Sequence, residues 1–162
     1  MATQDGNGPV HEGGCLCGAL RYTVVGEPLG VAICHCVNCQ RNTGSAFSVN
    51  ATFPAGTMTL SGDASVYDDV GDTGNIVRRV FCGTCGTPIE SQSVYSSPNY
   101  VVIKAGTFDD PARFVPDCEV YCDSKLPWVK LGDAISHHDK TNFDSIKSMA
   151  ETIKESGKEM ER

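Results

Sequence analysis

The sequence predicts a mainly β domain that ends in a single α-helix. Three observations carry this. Between residue 19 and about 130, short apolar or alternating runs are separated by turn residues, the rhythm of an antiparallel sandwich, barrel or folded sheet. After residue 141 the apolar period switches to that of a helix. The 162 residues, 40% apolar and 20% charged, suffice for one ordinary hydrophobic core.

Taken in order, residues 1–10 (MATQDGNGPV) read as a flexible polar arm. The run LRYTVV (20–25) is closed by Gly-Glu-Pro, and FSVNATF (47–53) alternates until it meets Pro-Ala-Gly. A short strand at 58–60 stops at Ser-Gly-Asp. The stretch DDVGDTGN is turn-rich and leads into IVRRVF (76–81). Strands at 89–93 and 100–105 flank Ser-Ser-Pro-Asn, and 115–121 completes the set. Thr141 then opens a capping-box-like T-x-x-D, with Asp in place of the preferred Glu. Phe143, Ile146, Met149, Ala150 and Ile153 follow at helical spacing, predicting an amphipathic helix over about 142–156 that lies on the β core, with a partner-binding or membrane-surface helix as the alternative. The chain thus divides into an arm (1–10), a domain (11–132) and a helical tail (133–162).

Composition excludes several classes. Twenty acidic against thirteen basic residues give a net charge of -7, the wrong sign for a nucleic-acid backbone ligand. No apolar run reaches the roughly 20 residues of a membrane span, and the N-terminus lacks a secretory pattern. A cytoplasmic, reducing location is therefore expected, in which thiols stay free or bind metal. Nine cysteines, an odd number, cannot all pair within one chain.

The cysteines cluster. Gly13-Gly14-Cys15-Leu16-Cys17-Gly18 is a C-x-C loop, and Phe81-Cys82-Gly83-Thr84-Cys85-Gly86 is a C-x-x-C knuckle. The flanking glycines allow the positive φ angles and close backbone approach that such turns need. Two such pairs supply four thiolates, the closed tetrahedral shell of a structural zinc that would clasp two hairpins. A redox C-x-x-C is the alternative, but it usually opens a helix in a βαβ context, and none is predicted here.

The third cluster is Cys34-His35-Cys36-Val37-Asn38-Cys39. One short segment can place three thiolates on one metal and leave a fourth position open, the mark of a catalytic site. A closed site is the alternative, with the fourth ligand from Cys118, Cys122 or His35. Cys118 and Cys122 are four apart, would share a face on a strand, and read better as packed thiols. His35 would point away from the flanking ligands and reads better as a partly exposed loop histidine. Three thiolates on Zn2+ carry a net charge of -1, which blunts Lewis acidity but suits a soft thiol as fourth ligand. That chemistry points to sulfur: a thiol held near an electrophilic carbon.

These segments, GGCLCGALRY, CHCVNCQRNTGSAF, FCGTCGTPI and the late SKLPWV, resemble the glutathione-dependent formaldehyde-activating enzyme family, also called the CENP-V/GFA domain family. The resemblance spans roughly residues 11–130. It implies an Mss4-like fold of β-sheets folded over one another (a β-tent) clasped by zinc. It implies two zinc ions per chain, a structural one on Cys15, Cys17, Cys82 and Cys85 and a catalytic one on Cys34, Cys36 and Cys39. It also implies carbon–sulfur lyase activity on S-hydroxymethylglutathione, with glutathione as cosubstrate.

Gln40, Arg41, Thr43, Gly44 and Ser45 follow the open metal directly and are the expected substrate- or cosubstrate-binding residues. Arg41 could pair with a substrate carboxylate or be a plain surface arginine. Thr43, Gly44 and Ser45 could supply oxyanion donors or only turn the chain. Glu119 stands where the family pattern leads one to expect a histidine. It reads either as a proton shuttle beside the zinc or as an exposed side chain. The expected partner is a small molecule, with neither nucleic acid nor membrane involved. Seven zinc-bound thiolates and two Zn2+ would take the formal charge from -7 to -10, against a DNA role. Two other functions compete with the lyase. One is an enzyme of the same fold acting on a different electrophile without glutathione, for example in secondary metabolism. The other is a non-enzymatic zinc-stabilised binding module with two closed sites.

Overall fold

The computed structural model describes residues 8–71, 74–93, 99–132 and 135–140. The expected helix at 142–156 and most of the expected arm lie outside these residues.

The chain is mainly β, as predicted. A three-stranded antiparallel sheet has the order β1-β2-β5, from β1 (Val10–Gly14), β2 (Arg21–Val25) and β5 (Met58–Ser61). A second sheet is built from β3 (Gly30–Cys34), β4 (Ser48–Pro54), β6 (Ala64–Val70), β7 (Ile76–Cys82), β8 (Pro88–Ser93), β9 (Tyr100–Lys104), β10 (Cys118–Val120) and β11 (Ser136–His137). Among the described residues its eight strands run in the order β11-β10-β3-β4-β9-β8-β7-β6. Pairing is antiparallel except where β10 joins β3 and β11 in parallel. One short helix, α1 (Val37–Thr43), follows β3.

Alternation explains which faces meet. On β2, Tyr22 and Val24 are buried while Arg21 and Thr23 turn outward. Val31 on β3, Ala51 and Phe53 on β4, and Val101 and Ile103 on β9 meet them in one core with Leu20, Ile89, Phe108 and Phe114. Phe108 and Phe114 stack with ring centroids 3.9 Å apart. Gly13 is required where β1 meets this layer, since a Cβ there would lie 2.3 Å from the Tyr22 hydroxyl.

The opposite face of the large sheet is polar. Cys34 stands across from Ser48, Asn50 across from Lys104, and Arg79 across from Ser91. Because neighbouring residues alternate faces, Ser48, Asn50 and Lys104 share the side of the sheet that carries Cys34. The large sheet therefore has one apolar face against the small sheet and one polar face beneath the second cysteine cluster.

Several elements differ from expectation. β1 begins at Val10, inside the stretch read as an arm. The residues ASVYDDV form edge strand β6, which pairs only with β7. The expected strand at 115–121 is shortened to Cys118–Val120 because Tyr121 adopts φ 58°, a left-handed turn that ends β10. Cys118 and Cys122 consequently do not share a strand.

Candidate metal centres

The first cysteine group lies where the small sheet meets the end of β7. The Sγ atoms of Cys15, Cys17, Cys82 and Cys85 all fall within 4.8 Å of one another. Cys15 and Cys17 are 3.5 Å apart and Cys17 and Cys82 3.8 Å apart, sulfur to sulfur. A zinc tetrahedron with bonds of about 2.3 Å has edges near 3.8 Å, so the four donors fit that ion. Gly18 and Gly86 adopt φ 79° and 74°, the left-handed turns expected beside the ligands. The Leu20 amide donates to the Cys15 sulfur at 3.2 Å. The Thr87 hydroxyl and backbone, aided by the Cys17 backbone, hold the Cys85 thiol down at about 5. The Cys17 thiol is raised to about 11: an Ala19 backbone bond lowers it, but the neighbouring thiols outweigh that bond.

The second group forms on the polar face. The Sγ atoms of Cys34, Cys36 and Cys39 lie within 4.8 Å of one another and number three among the described residues. Local structure makes this possible. Cys34 ends β3, Cys36 is the N-cap of α1 and accepts from the Cys39 amide at 3.4 Å, and Cys39 sits in the first turn. Hydrogen bonds from Cys34 and Cys36 push the Cys39 thiol down to about 2 against desolvation, with the charges of Lys104 and Arg79 assisting. Cys34 and Cys36 are raised in turn. One sulfur thus carries a negative charge that the others share through protons, and such a group yields its protons to a divalent ion.

Residues around this loop hold it in place. Asn38 donates to the Asp69 carboxylate at 3.0 Å and to the Val70 carbonyl at 2.9 Å. Arg79, buried, donates to Asp69 at 2.7 Å and to Ser91 at 3.1 Å. Lys104, also buried, donates to Ser48 at 3.1 Å and Asn50 at 3.0 Å. Neither buried cation was legible as a site residue, because only the sheet register brings them beneath the cysteines.

The expected binding residues have mixed fates. The Gln40 amide donates to the His35 and Ser124 carbonyls at 2.7 and 3.0 Å, which ties the loop to the segment after β10. The Thr43 hydroxyl donates to the Cys39 carbonyl at 2.8 Å. Gly44, at φ 64°, closes α1 as its C-cap, and its amide bonds Gln40. The Ser45 amide bonds the Gln40 carbonyl too. The Thr43 hydroxyl and the Gly44 and Ser45 amides are thus taken up by the end of α1, and the Gln40 amide by two carbonyls flanking it. Arg41 is exposed on the last turn and makes no ion pair among the described residues.

Glu119 and His35 correct their expected exposure, since both are fully buried. Glu119 lies beside Ile33 in the β3–β10 pairing, and His35 follows on the same side. Both therefore face away from Cys34, so Glu119 does not stand beside the cysteines as a shuttle. His35 Nε2 lies 2.8 Å from Glu119, and Lys125 donates to both carboxylate oxygens at 2.7 and 3.0 Å. His137 on β11 contacts the same carboxylate. Desolvation works against this carboxylate, yet Lys125, His35 and His137 outweigh it and hold it near 2. Cys122 lies close enough to Glu119 and His137 for the three to resemble a cation site. The Lys125 ammonium already occupies that carboxylate, so the cluster reads as an ion-pair network linking β10, β11 and the metal loop. A cavity of about 660 Å³ lined by His11, Phe108, Arg113 and Phe114 includes no cysteine of either group.

A β protein with one four-sulfur and one three-sulfur group, each shaped for a soft divalent ion, is the class that fold and sites define. Within that class the chain belongs to the glutathione-dependent formaldehyde-activating enzyme family, whose model matches residues 10–124. It is 24% identical over 147 residues to a Schizosaccharomyces pombe protein described as an uncharacterized lyase, covering 90% of this chain and 98% of that one. A crystal structure of a Rhodobacter sphaeroides protein is similar at 24% identity and a TM-score of 0.48, over 60% of this chain and 87% of that one.

Proposed function

We propose that the chain is a zinc-dependent carbon–sulfur lyase acting on the adduct of a thiol, of the glutathione type, with a small aldehyde. The observation that carries this reading is the three-sulfur group of Cys34, Cys36 and Cys39, set over a polar sheet face. The family and the lyase relative support the same reaction class. Bound there, zinc would supply a soft fourth position suited to a thiol sulfur.

The balance of the reaction is simple. In the adduct-forming direction the thiol loses its proton and its sulfur lone pair forms the carbon–sulfur bond. The carbonyl π pair moves to oxygen, which takes up a proton. The lyase direction reverses each step. The chain's own residues would bind and orient. Asn38 and Gln40 fix the loop, while Arg41, exposed on the last turn of α1, would take a thiol substrate's carboxylate. Cys15, Cys17, Cys82 and Cys85 would hold the structural zinc of the first group.

The test is exchange between glutathione, formaldehyde and their adduct, followed by magnetisation-transfer NMR on zinc-loaded protein. Acceleration that disappears in Cys36→Ser is expected. Exchange at the uncatalysed rate with glutathione and with other small thiols would overturn the reading.

A further inference from the structure

Lys104 ends β9 with its side chain almost wholly buried, 5% exposed. Its hydrogen-bond partners, Ser48 Oγ and Asn50 Oδ1, are both neutral. No carboxylate pairs with it among the described residues. A buried ammonium without an anion is costly, and a negative charge nearby is what would keep it charged. The register supplies one. Ser48, which Lys104 contacts, lies directly across from Cys34, and Asn50 lies directly across from Lys104 on the same face. Desolvation, with Arg79, lowers the Lys104 pKa, and the negative charge of the cysteine group, Cys39 foremost, opposes that shift. Arg79 shares this face, but Asp69 neutralises it.

The charge count then becomes specific. Three thiolates and one divalent ion carry -1, and Lys104 brings the buried centre to zero. A neutral fourth ligand leaves it at zero. A thiolate takes it to -1, where without Lys104 it would reach -2. In a low-dielectric site that extra unit of charge weighs far more than it would in water.

We propose that Lys104 is a positioning residue of the second metal centre, a buried counter-charge that makes the centre prefer an anionic sulfur over a neutral donor as its fourth ligand. The inference rests on the reading above, that the three-cysteine group holds a metal with one position to fill.

The experiment uses full-length protein loaded with Co2+ and titrates 2-mercaptoethanol and, separately, imidazole, following the cobalt absorption bands. Lys104→Met is expected to weaken 2-mercaptoethanol binding about tenfold while imidazole affinity stays within about twofold. Lys104→Arg, which keeps the charge, should restore the preference. Lys104→Gln retains a donor for Asn50 and repeats the measurement where Lys104→Met does not fold. Equal weakening of both ligands, or no change in either, overturns the role of Lys104 alone. Wild-type protein that takes neither ligand shows a closed centre, and then the functional reading fails together with this one.

Discussion

Cys82 and Cys36 are both ligand candidates, yet their surroundings assign them opposite consequences. Cys82 is fully buried in the core that joins the two sheets. Cys82→Ser therefore removes a candidate metal ligand and leaves a hydroxyl in apolar surroundings. The folded fraction should collapse, with far-UV dichroism and zinc content falling together. Cys36 caps α1, and serine is among the preferred N-caps. Cys36→Ser should keep the fold and the first metal but lose the second metal and all turnover. Equal damage to folding in both variants would contradict this division. Arg41→Ala, on an exposed helical position, should shift stability by less than about 0.5 kcal/mol. It should raise KM for glutathione about tenfold with kcat little changed, the signature of lost substrate binding. An unchanged KM would return Arg41 to the plain surface. At this scale the cysteines were legible because ligands of one ion tend to come as close pairs in glycine-rich turns. Glu119 and Lys104 were not, since their burial follows from pairings between strands far apart in the chain.

At the scale of elements, the short helix α1 and the β6–β7 hairpin act as one support. Asn38 reaches from the helix to Asp69 and Val70, and Asp69 also neutralises the buried Arg79. Asp69→Asn strands Arg79 in the interior, at a cost of about 3 kcal/mol in denaturant unfolding. Burial opposes ionisation of Asp69, but Arg79 and Asn38 outweigh it and hold the carboxyl below its ordinary range. A carboxylate lowered in the folded state stabilises fully above its unfolded pKa of about 3.9 and ceases to do so as pH falls through its lower folded value. The gap between wild type and Asp69→Asn should thus be constant from pH 8 to about pH 5. A gap that narrows across that range would place the Asp69 pKa higher than the geometry implies. The same support shows why some elements escaped sequence reading. α1 has only seven residues and no apolar period, and is set by its caps, Cys36 and Gly44. β6 is an edge strand paired on one side, and five of its seven residues, Asp68 among them, are exposed, so it lacks the apolar alternation of an inner strand. β2 was legible because burial imposes that alternation on it, and β9 because burial at four of its five positions makes it a continuous apolar run.

Across the whole molecule, the two faces of the large sheet separate folding from chemistry. Its apolar face and the small sheet enclose the core, and the four-sulfur group ties their ends together through Cys15 and Cys82, both members of that core. Its polar face carries the three-sulfur group, whose loop is held by Asn38, Gln40 and Thr43 without any metal-dependent contact to the core. Removing metal should therefore proceed in two stages. A fourth position that accepts an outside ligand also admits a chelator, whereas a site with four protein sulfurs must open first. Titration with a strong chelator should release one zinc per chain with no change in far-UV dichroism. The second zinc should leave only as dichroism is lost, because there metal binding and folding are one equilibrium. Lyase activity should disappear wholly in the first stage and return when one equivalent of zinc is restored. Release of both ions in a single step coincident with unfolding would mean that the polar face depends on its metal as much as the core does, and that the two centres form one cooperative unit.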